Sequence, residues 1–134
     1  LGTFTKDISG DDFLPGDIFS MKGHVWMCLG KATDGSLLII HATVDGDLGS
    51  GIQISALSQD EDCKAYELAN SHMQQYYPEW STRFNAVRRD VRLYTAQESE
   101  NCGRFRWTIS ENGLEDPEGY LSMTAEQILS DLYK

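Results

Sequence analysis

Residues 14–43 read LPGDIFSMKGHVWMCLGKATDGSLLIIHAT, and the chain is organised around them. Turn residues divide it into three runs of β type, which are Asp17–Met21, His24–Leu29 and Leu37–His41. Asp34-Gly35 lies before the last run and is a strong hairpin signal, although the loop is longer than two residues. The stretch therefore predicts three consecutive strands, with a histidine on each of the last two.

These two histidines are the first candidates for chemistry. Side chains alternate along a strand, so His24, Trp26 and Cys28 share one face of the second run. An antiparallel pair brings cross-strand residues within about 5 Å of each other on one face. The sequence does not fix the register that would bring His24 and His41 together. If they meet, one imidazole can act as a base and the other can orient it, as in a triad of nucleophile, base and orienting group.

Three short motifs carry a resemblance, and they follow one another at close spacing. They are Leu14–Ile18, Gly23–Val25 and Ile40–Ala42. The series resembles the NlpC/P60 superfamily of papain-like cysteine peptidases that act on the bacterial cell wall. The resemblance implies that His24 is the general base and that His41 orients it. It also implies a cysteine peptidase or amidase of peptidoglycan stem or cross-bridge peptides, secreted or wall-associated, that needs no metal and no organic cofactor.

The nucleophile of that family is a cysteine at a helix start upstream of the Pro-Gly-Asp motif. Residues 1–12 contain nothing similar, and the chain begins at Leu1 rather than Met, so we interpret it as a processed or truncated piece. We therefore expect a nucleophile upstream of Leu1 and no activity in this chain alone. We also expect apolar surface near His24, on which a partner segment supplies the missing helix. The alternative function is a non-catalytic module that binds wall peptides or a protein.

The three cysteines of the chain offer other nucleophiles. Cys63 is the first alternative, because circularly permuted relatives place the cysteine after the histidines. Its neighbours are acidic, and the predicted helix turns it away from the apolar stripe. Cys102 resembles the Asn-Cys start of other permuted relatives, but a strand pattern follows it, so it is less favoured. Cys28 lies in mid-strand and is interpreted as a small core residue.

The rest of the chain predicts further strands and two helices. A helix is predicted from Ser58 to Tyr77, with His72 packed on its apolar stripe, and a last helix follows a capping box at Thr124. Strands are predicted at Gly51–Ser55, Arg88–Tyr94 and Arg104–Ile109. We expect one α+β domain over residues 1–134, with an antiparallel sheet of four to six strands and at least two packed helices. Its NlpC/P60-like core would cover about residues 14–57 and an extension residues 58–134.

Composition excludes some classes of function. The net charge of −10, from 21 acidic and 11 basic residues, argues against a nucleic-acid binder. No apolar run approaches the ~20 residues of a membrane span. The loop at residues 44–51 alternates Asp45 and Asp47 as calcium loops do. Counted from Asp45, Ser50 and Ala56 stand where such a loop needs glycine and glutamate, so we expect no metal site.

Overall fold

The computed structural model describes residues 5–7, 12–45, 49–83, 102–110 and 113–134. Its strands are β1 (Thr5–Asp7), β2 (Ile18–Met21), β3 (His24–Lys31), β4 (Leu37–Asp45), β5 (Gly49–Leu57) and β6 (Gly103–Trp107). Its helices are α1 (Lys64–Tyr76), α2 (Pro78–Arg83) and α3 (Ala125–Leu132), with a 3₁₀ turn at Tyr120–Ser122. The six strands form one antiparallel sheet in the order β1-β6-β2-β3-β4-β5. The predicted α+β class is confirmed, and the first three predicted strands are β2, β3 and β4.

The sheet separates two apolar clusters, and neighbours on β4 point to opposite sides. Leu38 belongs to a cluster beneath α1 and α3, on what we call the helix face. Ile39 belongs to the other cluster, on what we call the histidine face, because His41 shares its parity. The histidine-face cluster consists of Phe13, Phe19, Trp26, Cys28, Ile39 and Leu57. Each side of the sheet therefore has its own core.

The start of α1 differs from the prediction. The helix begins at Lys64 rather than Ser58, because Ser58 Oγ accepts from the backbone N–H of Asp60 at 2.9 Å and holds this segment in a turn. The hairpin loop between β3 and β4 caps the helix instead. Asp34 Oδ2 accepts from the Lys64 amide at 2.7 Å, and Ser36 Oγ accepts from the next amide at 2.9 Å. The helix start is thus set by residues some thirty positions earlier in the chain.

Other predictions have mixed outcomes. The capping box at Thr124 is confirmed. The Thr124 side chain accepts from the Gln127 backbone N–H, and the Gln127 side chain accepts from the Thr124 backbone N–H. The predicted loop at residues 44–51 is shorter than expected, because β4 and β5 remain paired as far as Asp45 and Gly49. The strand predicted at residues 88–94 lies outside the described residues. None of the described helices has the length and apolar character to cross a membrane.

One ion pair fixes β6 beside β2. The Arg106 guanidinium donates to the Asp17 carboxylate from Nη2 at 2.7 Å and from Nε at 3.0 Å. The Asp17 side chain is 1% exposed and also accepts from the Leu14 amide at 2.8 Å. The hydrogen bond to Asp17 raises the pKa of Arg106. The turn before β2 is therefore tied to the middle of β6, a strand almost ninety residues later.

Candidate active site

The structure brings the two predicted histidines into direct contact. His24 Nε2 and His41 Nδ1 are 3.0 Å apart, and the two rings are perpendicular. The β3–β4 register sets Met27 opposite Ile40, so the two histidines lie diagonally across the ladder on the histidine face. His24 is half-buried at the start of β3, whereas His41 is only 7% exposed.

A third polar group continues this contact into the interior. His41 Nε2 lies 3.1 Å from Ser55 Oγ on β5, and Ser55 is 1% exposed. The result is a chain of hydrogen bonds from a half-buried imidazole through a buried imidazole to a buried hydroxyl. The sequence prediction missed Ser55, because the β4–β5 register that brings it to His41 has no local signal.

The hydrogen-bond chain has a direction with chemical consequences. A neutral imidazole has one N–H donor and one acceptor nitrogen. In one direction His24 donates from Nε2 to His41 Nδ1, and His41 donates from Nε2 to Ser55 Oγ. His24 Nδ1 then carries the lone pair and can accept a proton. The imidazolium that forms still donates from Nε2 to His41, which stabilises the charge.

The cysteines lie in three different surroundings. Cys28 is 1% exposed in the histidine-face cluster, and burial raises the pKa of its thiol to about 12. It is protonated at neutral pH, as expected of a core residue. Cys63 precedes α1 and packs against the helix-face cluster. Because the sheet separates Cys63 from His24 and His41, the geometry argues against the permuted alternative with Cys63 as nucleophile.

Cys102, the less favoured alternative, lies on the histidine face. It packs against the same cluster as Met21. The ladders set Ser20 beside Gly103 and Met21 beside His24. Cys102 immediately precedes β6, next to Gly103.

Trp80 lies at the edge strand β5 and packs against the helix-face cluster. Its indole Nε1 donates to Gln53 Oε1 at 3.3 Å, and Gln53 pairs with His41 in the β4–β5 ladder. A Cβ at Gly51 would lie 2.7 Å from the Trp80 ring, so the ring stands directly over that glycine. Any side chain at Gly51 would displace the indole from this position.

An apolar depression of about 480 Å³ lies beside the histidines. Val25, Met27 and Ile52 line it and are 51%, 41% and 44% exposed, and His24 and His41 also border it. Apolar surface was expected near His24, and these three side chains have the opposite parity to the imidazoles. The depression therefore opens on the helix face, on the other side of the sheet from the imidazoles of His24 and His41.

Among the residues that the structure describes, no group of three or more His, Cys, Asp or Glu side chains could hold a metal ion.

The chain matches no protein-family model, no curated protein and no solved structure.

Proposed function

We propose that this chain is a thiol-dependent hydrolase of the NlpC/P60 type, with His24 as general base and His41 as the residue that orients it. The observation that carries the proposal is the 3.0 Å contact between the two rings, continued by the buried hydroxyl of Ser55. Burying polar groups is unfavourable unless they are hydrogen-bonded. Here two buried polar side chains are arranged behind one imidazole that remains partly accessible, as a positioned base requires.

His24 acts twice in each half of the reaction. It takes the thiol proton at Nδ1 while the sulfur attacks the carbonyl carbon, and it returns that proton to the leaving amine. It then takes a proton from water as water attacks the thioester, and the thiol is regenerated. His41 accepts from His24 Nε2 throughout and keeps Nδ1 pointed at the reacting atoms.

The proposed substrates are the peptide cross-bridges or stem peptides of bacterial cell wall. This part of the proposal, with a secreted or wall-associated location, comes from the motif series at residues 14–18, 23–25 and 40–42. The geometry itself supports amide hydrolysis through a thiol and favours no particular peptide.

The test is release of soluble peptide fragments from purified peptidoglycan, followed by mass spectrometry. General-base catalysis contributes about 10²–10⁴-fold, so His24→Ala should lower the initial rate at least about 100-fold. His41→Ala should lower it less, because the base remains and only its orientation is lost. His72→Phe is the matched control and should keep the wild-type rate. A His24→Ala variant as active as wild type would refute the assignment.

The second candidate function is binding without turnover, and the apolar depression beside Val25, Met27 and Ile52 favours it. The same peptidoglycan fragments would then bind the chain in calorimetry while no new fragments appear. Met27→Lys would weaken such binding, because it places a charge in the depression. His24→Ala would weaken it less, because the His24 imidazole leaves the sheet on the opposite face from Val25 and Met27.

A further inference from the structure

We propose that Cys102 is the nucleophile of this site, so that the chain carries its own thiol, after both histidines and on a strand. This inference rests on the proposed function and goes beyond it. It replaces the expectation of an upstream nucleophile and a silent chain.

The register of three neighbouring strands relates the position of Cys102 to that of His24. Ile18, Phe19 and Ser20 of β2 pair with Phe105, Arg104 and Gly103 of β6. Cys102 immediately precedes β6, and continuing this series by one residue sets it opposite Met21. On the other side of β2, Met21 pairs with His24. Continued in this way, the series aligns Cys102 with Met21 and His24 in one row.

The Cys102 side chain lies on the histidine face. Arg104 shares its parity, and the Arg104 guanidinium lies 5.0 Å from the centroid of the Phe19 ring, which belongs to the histidine-face cluster. Cys102 itself packs against that cluster. The thiol and both imidazoles thus leave the sheet on the same side.

The Cys102 thiol must also be able to reach the His24 imidazole. Two strand spacings separate the ends of the row, so the Cα atoms of Cys102 and His24 are about 10 Å apart. Side chains that lean toward each other past Met21 leave a gap that one water can bridge between the thiol and the imidazole. His24 Nε2 is directed at His41, so Nδ1 is the nitrogen that can face the thiol.

Of the three cysteines of the sequence, Cys102 has the surroundings that suit a nucleophile at this site. Cys28 is enclosed in the core, with its thiol pKa raised to about 12. Cys63 is on the helix face. Cys102 is half-buried on the histidine face. The Asp17–Arg106 ion pair holds β6 in register, which gives the thiol a rigid platform.

The resulting step is balanced without a co-reactant other than water. The Sγ–H proton passes to His24 Nδ1, the C–S bond forms, and the C–N bond breaks as the proton moves from His24 to the amine. Water then cleaves the thioester, giving one proton to His24, which passes it to the Cys102 sulfur.

The first experiment measures alkylation of each cysteine by iodoacetamide at about pH 6. At this pH a thiol paired with an imidazolium is ionised and reacts faster than an ordinary, protonated thiol. Cys102 should react at least about 10-fold faster than Cys63, and His24→Ala should remove this difference. His72→Phe should leave it intact. Equal labelling of Cys102 in wild type and His24→Ala would overturn the proposal, whether or not a substrate is known.

The second experiment repeats the peptidoglycan assay with Cys102→Ser, Cys102→Ala and the matched control Cys63→Ser. Fragment release should vanish in both Cys102 variants and persist in Cys63→Ser, with all variants unfolding at the wild-type temperature. If Cys102→Ser stays active while His24→Ala is inactive, the proposed function stands and Cys102 is not the nucleophile. If both remain active, the proposed function falls as well.

Discussion

The chain has three histidines, and the structure places them in two kinds of surroundings. His24 and His41 belong to a polar chain that ends at Ser55. His72 packs between Tyr76 and Tyr133, with ring centroids at 4.6 and 4.2 Å. Its Nε2 has no hydrogen-bond partner among the described residues, and burial lowers the pKa of His72. The same side chain is therefore a candidate base in one place and a packing residue in another.

His72 should make stability depend on pH. Because its pKa in the folded chain lies below the ordinary 6.5, the unfolded chain binds a proton more readily. The contribution of His72 is therefore complete above pH 6.5 and decreases as the pH falls below it. Urea titrations at about pH 7.5 and about pH 5.5 should show a larger loss for wild type than for His72→Phe. Parallel losses in the two proteins would contradict this.

Individual residues were predictable to the extent that local pattern governs them. Strand alternation and the motif series are enough to identify His24 and His41 from the sequence. Ser55 is not predicted as a site residue, because an isolated serine in a strand has no distinguishing pattern. Only the pairing of Ile39 with Ser55 across the β4–β5 ladder brings its hydroxyl to His41.

At the scale of elements, distant side chains override local rules. The Ser58 signal for a helix start fails, because Asp34 and Ser36 offer the α1 amides a cap from another part of the chain. β6 is likewise held by a distant residue, since Arg106 reaches Asp17 in the turn before β2. Cys102 immediately precedes the strand that this contact holds.

Removing one partner of the Asp17–Arg106 pair should be strongly destabilising. Arg106→Ala leaves a carboxylate that is 1% exposed without its cation, and such changes lower the free energy of unfolding by about 3 kcal/mol. Lys6→Ala, on the neighbouring strand β1, is the control and should change it by less than about 0.5 kcal/mol. The double variant Asp17→Ala with Arg106→Ala should lose less than the sum of the single variants. Additive losses in urea unfolding would show that the pair does not hold β6.

At the scale of the whole molecule, the sheet separates the packing of α1 and α3 from the hydrogen-bond chain. The sequence predicts the α+β class, because strand and helix periods are local. It does not predict the strand order β1-β6-β2, since β6 returns to β2 after some eighty residues. This return brings Cys102, just before β6, to the histidine-face cluster. From the sequence Cys102 ranked below an upstream thiol, because a strand pattern rather than a helix follows it.

The role of His24 as a base oriented by His41 and Ser55 depends on which ring nitrogens carry the protons. ¹⁵N NMR at about pH 8, where imidazoles are neutral, distinguishes the two tautomers of each histidine. We predict that His24 and His41 both carry their proton on Nε2, so that His24 Nδ1 is an acceptor. A proton on His24 Nδ1, with His41 donating from Nδ1 to His24 Nε2, would contradict the account.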